Sequence, residues 1–129
     1  MSSKKPLYQI PLPSTEFEDV SLCGPVLRFQ YRRDGMPYRS GIRFNRTAAN
    51  RTRAERCCTA WHVEGAYDIL VEVEGSQWVE EIRADTQEMW RNKWEMHHYM
   101  IYLDSAGCFE VIAESWEVLT EESGTGSKA

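Results

Sequence analysis

Three histidines and four cysteines are the residues of this chain best suited to chemistry. His98 and Glu114 come closest to a catalytic pairing. If Ser105-Ala106-Gly107 is a three-residue loop with Gly107 in the left-handed conformation, the flanking segments form a hairpin. His98 and Glu114 are then cross-strand neighbours, where a carboxylate could orient an imidazole for general acid–base work. The same pair serves equally well as a plain sheet contact. An enzyme would also need a nucleophile or groups that hold a substrate, and the sequence points to none. It has no Gly-rich phosphate loop, nucleophile elbow or metalloprotease helix motif, which counts against the common enzyme classes.

Cys57-Cys58 with His62 is the place to look for a metal or a reactive thiol. A strand would point the two adjacent cysteines to opposite faces, and the C-x₂-C spacing of a zinc site is absent. A metal would need Cys58, His62 and His98 to converge from three segments, so core or half-buried cysteines are the plainer reading. No cofactor is called for.

Charge is distributed unevenly around a net of -5. Between Arg28 and Arg56 lie nine arginines against Asp34 and Glu55; between Cys57 and Glu122 lie fifteen acidic residues against Arg83, Arg91 and Lys93. Basic strands lying beside acidic ones, within one molecule or across a homodimer, would account for this. An arginine-lined surface for phosphate or another anion is the sharper reading. Arg28, Arg32 and Arg43 near Phe29, Tyr31 and Tyr38 have the mixture that binds single-stranded nucleic acid. Strand alternation puts the two types on opposite faces, however, so nucleic acid is not an expected partner.

The 129 residues are enough for one domain with a real core, and the aromatic content is too high for a disordered chain. The first residues hold no continuous apolar stretch of the kind a signal peptide needs, and no run approaches a membrane span. The expectation is a soluble cytoplasmic protein with reduced thiols and no membrane partner.

The elements that must position these residues are partly readable. Residues 1–23 hold three of the five prolines and read as an extended arm, in which Leu7 to Ile10 could pair as an edge strand. Residues 24–119 read as the globular domain and 120–129 as a disordered tail. Val26 to Arg32 alternates, with Leu27, Phe29 and Tyr31 inward. Asp34-Gly35 is a two-residue turn that would set Tyr31 against Tyr38 and Leu27 against Ile42. Thr52 to Val63 reads as a strand, with helix competing; Tyr67 to Val73 is ambiguous. Gly75-Ser76 marks a boundary, Ser76 being a good N-cap. Residues 77–93 have helical periodicity, with Trp78, Ile82 and Met89 in one stripe. In the hairpin over residues 97–119, Leu103 would meet Phe109 and Ile101 would meet Val111.

The expected fold is α+β: a curved antiparallel sheet, open or closed to a barrel, with one main helix near 77–93 and a C-terminal hairpin. An almost all-β barrel is the alternative. The expected function is a non-enzymatic binding domain. A small apolar or aromatic ligand would lie between sheet and helix, walled by Trp78, Tyr99, Ile101 and Trp116 and oriented by Arg43 or His98. Alternatively, Glu80, Glu81, Asp85 and Glu88 would dock a basic protein, as an inhibitor or immunity-type protein does. An enzyme using His98 and Glu114 is the third class.

Overall fold

A computed structural model describes residues 3–91, 93 and 95–123 of the chain. In chain order its strands and helices begin with β1 (Ser3–Gln9), β2 (Phe17–Cys23), β3 (Val26–Arg33), β4 (Met36–Asn45) and β5 (Ala49–Arg53). Then come α1 (Ala60–Val63), β6 (Ile69–Glu74), α2 (Gln77–Asp85), β7 (His97–Leu103), β8 (Gly107–Ala113), β9 (Ser115–Val118) and β10 (Glu122–Ser123). Two antiparallel sheets result. The central sheet has the order β1-β6-β7-β8-β5, and the outer sheet the order β10-β4-β3-β2, with β9 also on β4.

Period-two alternation decides what lies between the layers. Leu27, Phe29, Tyr31, Ile42 and Phe44 of the outer sheet pack against Leu70, Tyr99, Ile101, Leu103, Phe109, Val111 and Ala113 of the central one. The opposite face of the central sheet is covered as well. Val71, Val73, Met100, Tyr102 and Cys108 meet Ala66, Val63 and Cys58, and Ile112 meets Val79, Met96, Trp78 and Ile82. Strands β7 and β8 are thus enclosed on both faces, which is why they read as nearly continuous apolar runs.

The turn at Asp34-Gly35 forms as expected, with φ of 54° and 79°, and it sets Tyr31 against Tyr38 and Leu27 against Ile42. The β7–β8 hairpin departs from expectation by two residues. Its loop is Asp104-Ser105-Ala106, and Ile101 faces Phe109 while Tyr99 faces Val111. A shift of two leaves every side chain on its own face, so the sorting into apolar and mixed faces is unchanged. Tertiary contacts hold this loop: Asp104 N–H donates to Ser14 Oγ at 2.8 Å and Ser105 N–H to Glu55 Oε2 at 3.1 Å.

Other differences have local causes. Residues 3–9 and 17–23 are edge strands of the two sheets rather than an arm. After Arg53 the chain leaves the sheet for a 3-10 turn and α1, where Thr59 and His62 form a capping box, so residues 54–63 are not a strand. Helix α2 ends at Asp85, eight residues short of expectation; the Thr86 hydroxyl donates to Ile82 O at 2.6 Å and competes with the backbone ladder. The C-terminal hairpin stops at Ala113. At Glu114 the chain bends and crosses to the outer sheet as β9, beside the β4–β5 crossing, and an Arg46–Glu114 ion pair at 3.4 Å ties the two bends. The sheets stay open, so no barrel forms, and the helix at 77–85 excludes the almost all-β alternative. Of the expected tail, residues 122–123 pair with β4, and residues 124–129 lie outside the described residues.

Candidate functional site

Strand β7 points His98 at the helical layer, and the actual register places Ile112 directly opposite it. Glu114 is therefore not its partner. The carboxylate that reaches His98 is Glu110, diagonal to it on β8, with Nε2 to Oε1 at 2.7 Å. The other ring nitrogen, Nδ1, meets Ser76 Oγ at 2.8 Å, and Ser76 is the residue that caps α2, its oxygen accepting Val79 N–H. Directly across from Glu110 on β5, Arg51 donates from Nε and Nη2 to the two carboxylate oxygens, both at 3.1 Å. The same guanidinium lies 3.9 Å from the Trp78 ring centroid, and Trp78 stands edge-on to His98. Five residues from β5, β7, β8 and the start of α2 thus close into one cluster.

Its protonation follows from the bonds. Burial pushes the Glu110 carboxyl up, but the hydrogen bonds and charges of His98 and Arg51 outweigh that and hold it at about 2. An ionised Glu110 only accepts, so His98 donates to it from Nε2, while Nδ1 and the Ser76 hydroxyl share the second hydrogen bond. Every donor and acceptor named here is then satisfied.

A serine, a histidine and a carboxylate in series have the composition of a nucleophile, its base and an orienting group. Here the series is turned inward. Ser76 is 7% exposed, His98 3% and Glu110 2%, and the seryl oxygen already serves the first turn of α2. What the cluster does is lock the N-terminus of α2 to the sheet.

The remaining site residues of the sequence reading come together only in part. Trp78 lies in the helical layer, whereas Tyr99 and Ile101 are buried between the two sheets. Trp116 sits in the outer sheet against Tyr8, and Arg43 faces outward beside Glu117 at 4.0 Å. Trp116 also packs against the inter-sheet cluster that holds Tyr99 and Ile101, while Trp78 lies on the other face of the central sheet and Arg43 on the outside. The metal candidates do not meet. Cys58 approaches the Ala54 carbonyl at 3.4 Å, His62 Nδ1 accepts Thr59 N–H at 2.9 Å, and both nitrogens of His98 are taken. Among the described residues no group of three or more His, Cys, Asp or Glu side chains is arranged to hold an ion.

The charge asymmetry resolves largely within the molecule. Six of the nine arginines between Arg28 and Arg56 pair with acids: Arg32 with Glu18, Arg33 with Glu121, Arg39 with Glu122, Arg43 with Glu117, Arg46 with Glu114 and Arg51 with Glu110. The acids of α2 and the following turn are different. Glu80, Glu81, Asp85 and Glu88 are all exposed, and among the described residues none has an ion pair or a side-chain hydrogen bond. Beside them Met89 is 66% and Trp90 48% exposed.

Sequence reasoning missed Ser76 as more than a cap, and missed Glu110 and Arg51 altogether. Glu110 had a signal: it is the lone charge in Gly107–Ala113, and a charge inside an apolar strand demands a partner. No protein-family model, curated protein or solved structure matches the chain. Among the described residues, no helix is long and apolar enough to cross a membrane.

Proposed function

We propose that this protein is a non-catalytic interaction domain whose α2 face docks a basic protein segment. The observation that carries the reading is a concentration of unpaired acids on one short segment. Among the described residues Glu80, Glu81, Asp85 and Glu88, all on α2 or the turn after it, stand exposed without an ion partner, next to exposed Met89 and Trp90. Glu81 and Asp85 are four apart on one helix, where like charges cost about 0.2–0.5 kcal/mol. Lysines or arginines of a partner would turn that repulsion into attraction. Trp90 and Met89 supply apolar area of the kind that anchors interfaces, and the acids steer the approach. The buried cluster under Ser76 contributes rigidity, since a surface held in place before binding loses little entropy on binding.

Reversing Glu81→Lys together with Asp85→Lys tests this. Folding stability should change by no more than about 0.5 kcal/mol, as for other exposed positions. Association with a basic protein recovered from the producing cells should slow and lose its salt dependence, while Trp90→Ala should speed dissociation instead. A partner that joins wild type and double variant at the same rate, in low and high salt alike, would sink the reading.

A further inference from the structure

Three of the nine arginines have no carboxylate partner among the described residues: Arg28, Arg53 and Arg56. Two of them lie at one place, the free edge of the central sheet. Strand β5 is the last in that sheet, paired with β8 on one side and, among the described residues, with no strand on the other. Every residue from Asn50 to Cys57 is exposed. A depression of about 310 Å³ runs along this edge, lined by Arg51, Thr52, Arg53, Ala54, Cys57 and Glu110. Arg53 donates only to the Cys57 carbonyl, at 3.2 Å, and so keeps its charge uncompensated, whereas Arg51 is committed to Glu110.

The opposite edge of the same sheet is a poorer template. Strand β1 carries Pro6, which cannot donate a ladder bond, and Lys4 crosses to the Trp61 and Glu64 carbonyls beside α1. β5 carries no proline. Its arginines instead select the occupant. A second copy pairing antiparallel through β5 would set arginine against arginine, which is unfavourable across strands. A strand of opposite charge meets no such obstacle.

We propose that β5 is a docking edge for an acidic extended peptide, which adds to the central sheet as a sixth strand. Main-chain hydrogen bonds along β5 would provide affinity. Strand alternation would bring every second side chain of the peptide to the face that carries Arg53, with Arg56 in the turn beyond it, so carboxylates at alternate positions are the specificity element. This site is independent of the α2 face and takes the opposite charge.

The test uses a short dye-labelled synthetic peptide alternating Glu and Thr, titrated into the full chain at low salt. The expected result is saturable binding by fluorescence anisotropy, weakened by salt. Amide chemical-shift changes should centre on β5 and β8, and β5 amides should gain hydrogen-exchange protection. The same peptide with N-methylated backbone at alternate residues keeps its charge but cannot form the ladder, and should bind at least about tenfold more weakly. Arg53→Glu with Arg56→Glu should weaken the unmodified peptide comparably. Equal binding of the N-methylated peptide, shift changes away from β5, or no binding at all would each overturn the proposal. The peptide modification leaves the protein untouched, so misfolding of the variant cannot be mistaken for loss of the site.

Discussion

Glu110 concentrates the residue-scale physics of this molecule. A carboxylate 2% exposed is tolerable only because His98 and Arg51 hold it on both sides. Its pKa is depressed from an ordinary 4.5 to about 2, so folding is favoured wherever the group is ionised in both states. The associated stability is complete above the unfolded value and is lost as the pH falls through the folded one. Between pH 4.5 and pH 2 the unfolding free energy should therefore drop by about 3 kcal/mol from this group alone. Chemical denaturation across that window checks it, and Glu110→Gln should flatten that segment of the pH profile while lowering stability at neutral pH. A variant that keeps the same acid-dependent drop would show that some other carboxylate is responsible.

At the scale of elements, the tip of the β7–β8 hairpin is the most constrained point. Gly107 has φ +108°, and a Cβ there would lie 2.1 Å from the Arg53 carbonyl oxygen and 3.1 Å from Glu55 N. The clash is with backbone, which cannot swing aside as a side chain would. Gly107→Ala should cost at least about 1–3 kcal/mol from the left-handed conformation alone, measured by denaturant unfolding. It should also disturb β5, because the obstructed atom belongs to the last residue of that strand. Normal stability in this variant would mean that β5 and the turn after it shift freely, which would also weaken the case for a rigid docking edge.

For the whole molecule, the decisive feature is that one buried cluster is shared by both sheets. Neither sheet has a core of its own between the layers, so heat or denaturant should unfold the chain in one cooperative transition. Ile101, 1% exposed at the centre of that cluster, makes the point quantitative. Ile101→Ala should cost about 2–5 kcal/mol and lower the stability reported by Trp78 in the helical layer and Trp116 in the outer sheet together. Separate transitions for the two reporters would contradict a shared core.

The sequence by itself determined whatever depends on neighbours along the chain. It contained the Asp34-Gly35 turn and its register, the inward positions Leu27, Phe29 and Tyr31, the start of α2 at the Ser76 cap, and the sorting of faces in β7 and β8. That sorting survived an error of two residues in register, because side-chain direction repeats every two. The end of α2 was harder to read, since Trp78, Ile82 and Met89 keep helical spacing beyond the point where Thr86 breaks the ladder. Tertiary structure alone decided which distant segments meet. The bend at Glu114 that sends β9 to the other sheet, the opposition of Arg51 to Glu110, and the approach of Ser76 to His98 all depend on pairings between segments far apart in the chain. Local patterning carries no term for such pairings: the closure of a long loop is stabilised only once both ends are buried together. The Glu80, Glu81, Asp85 and Glu88 face was visible as sequence. That none of its four acids has an ion partner among the described residues became clear only from the folded chain.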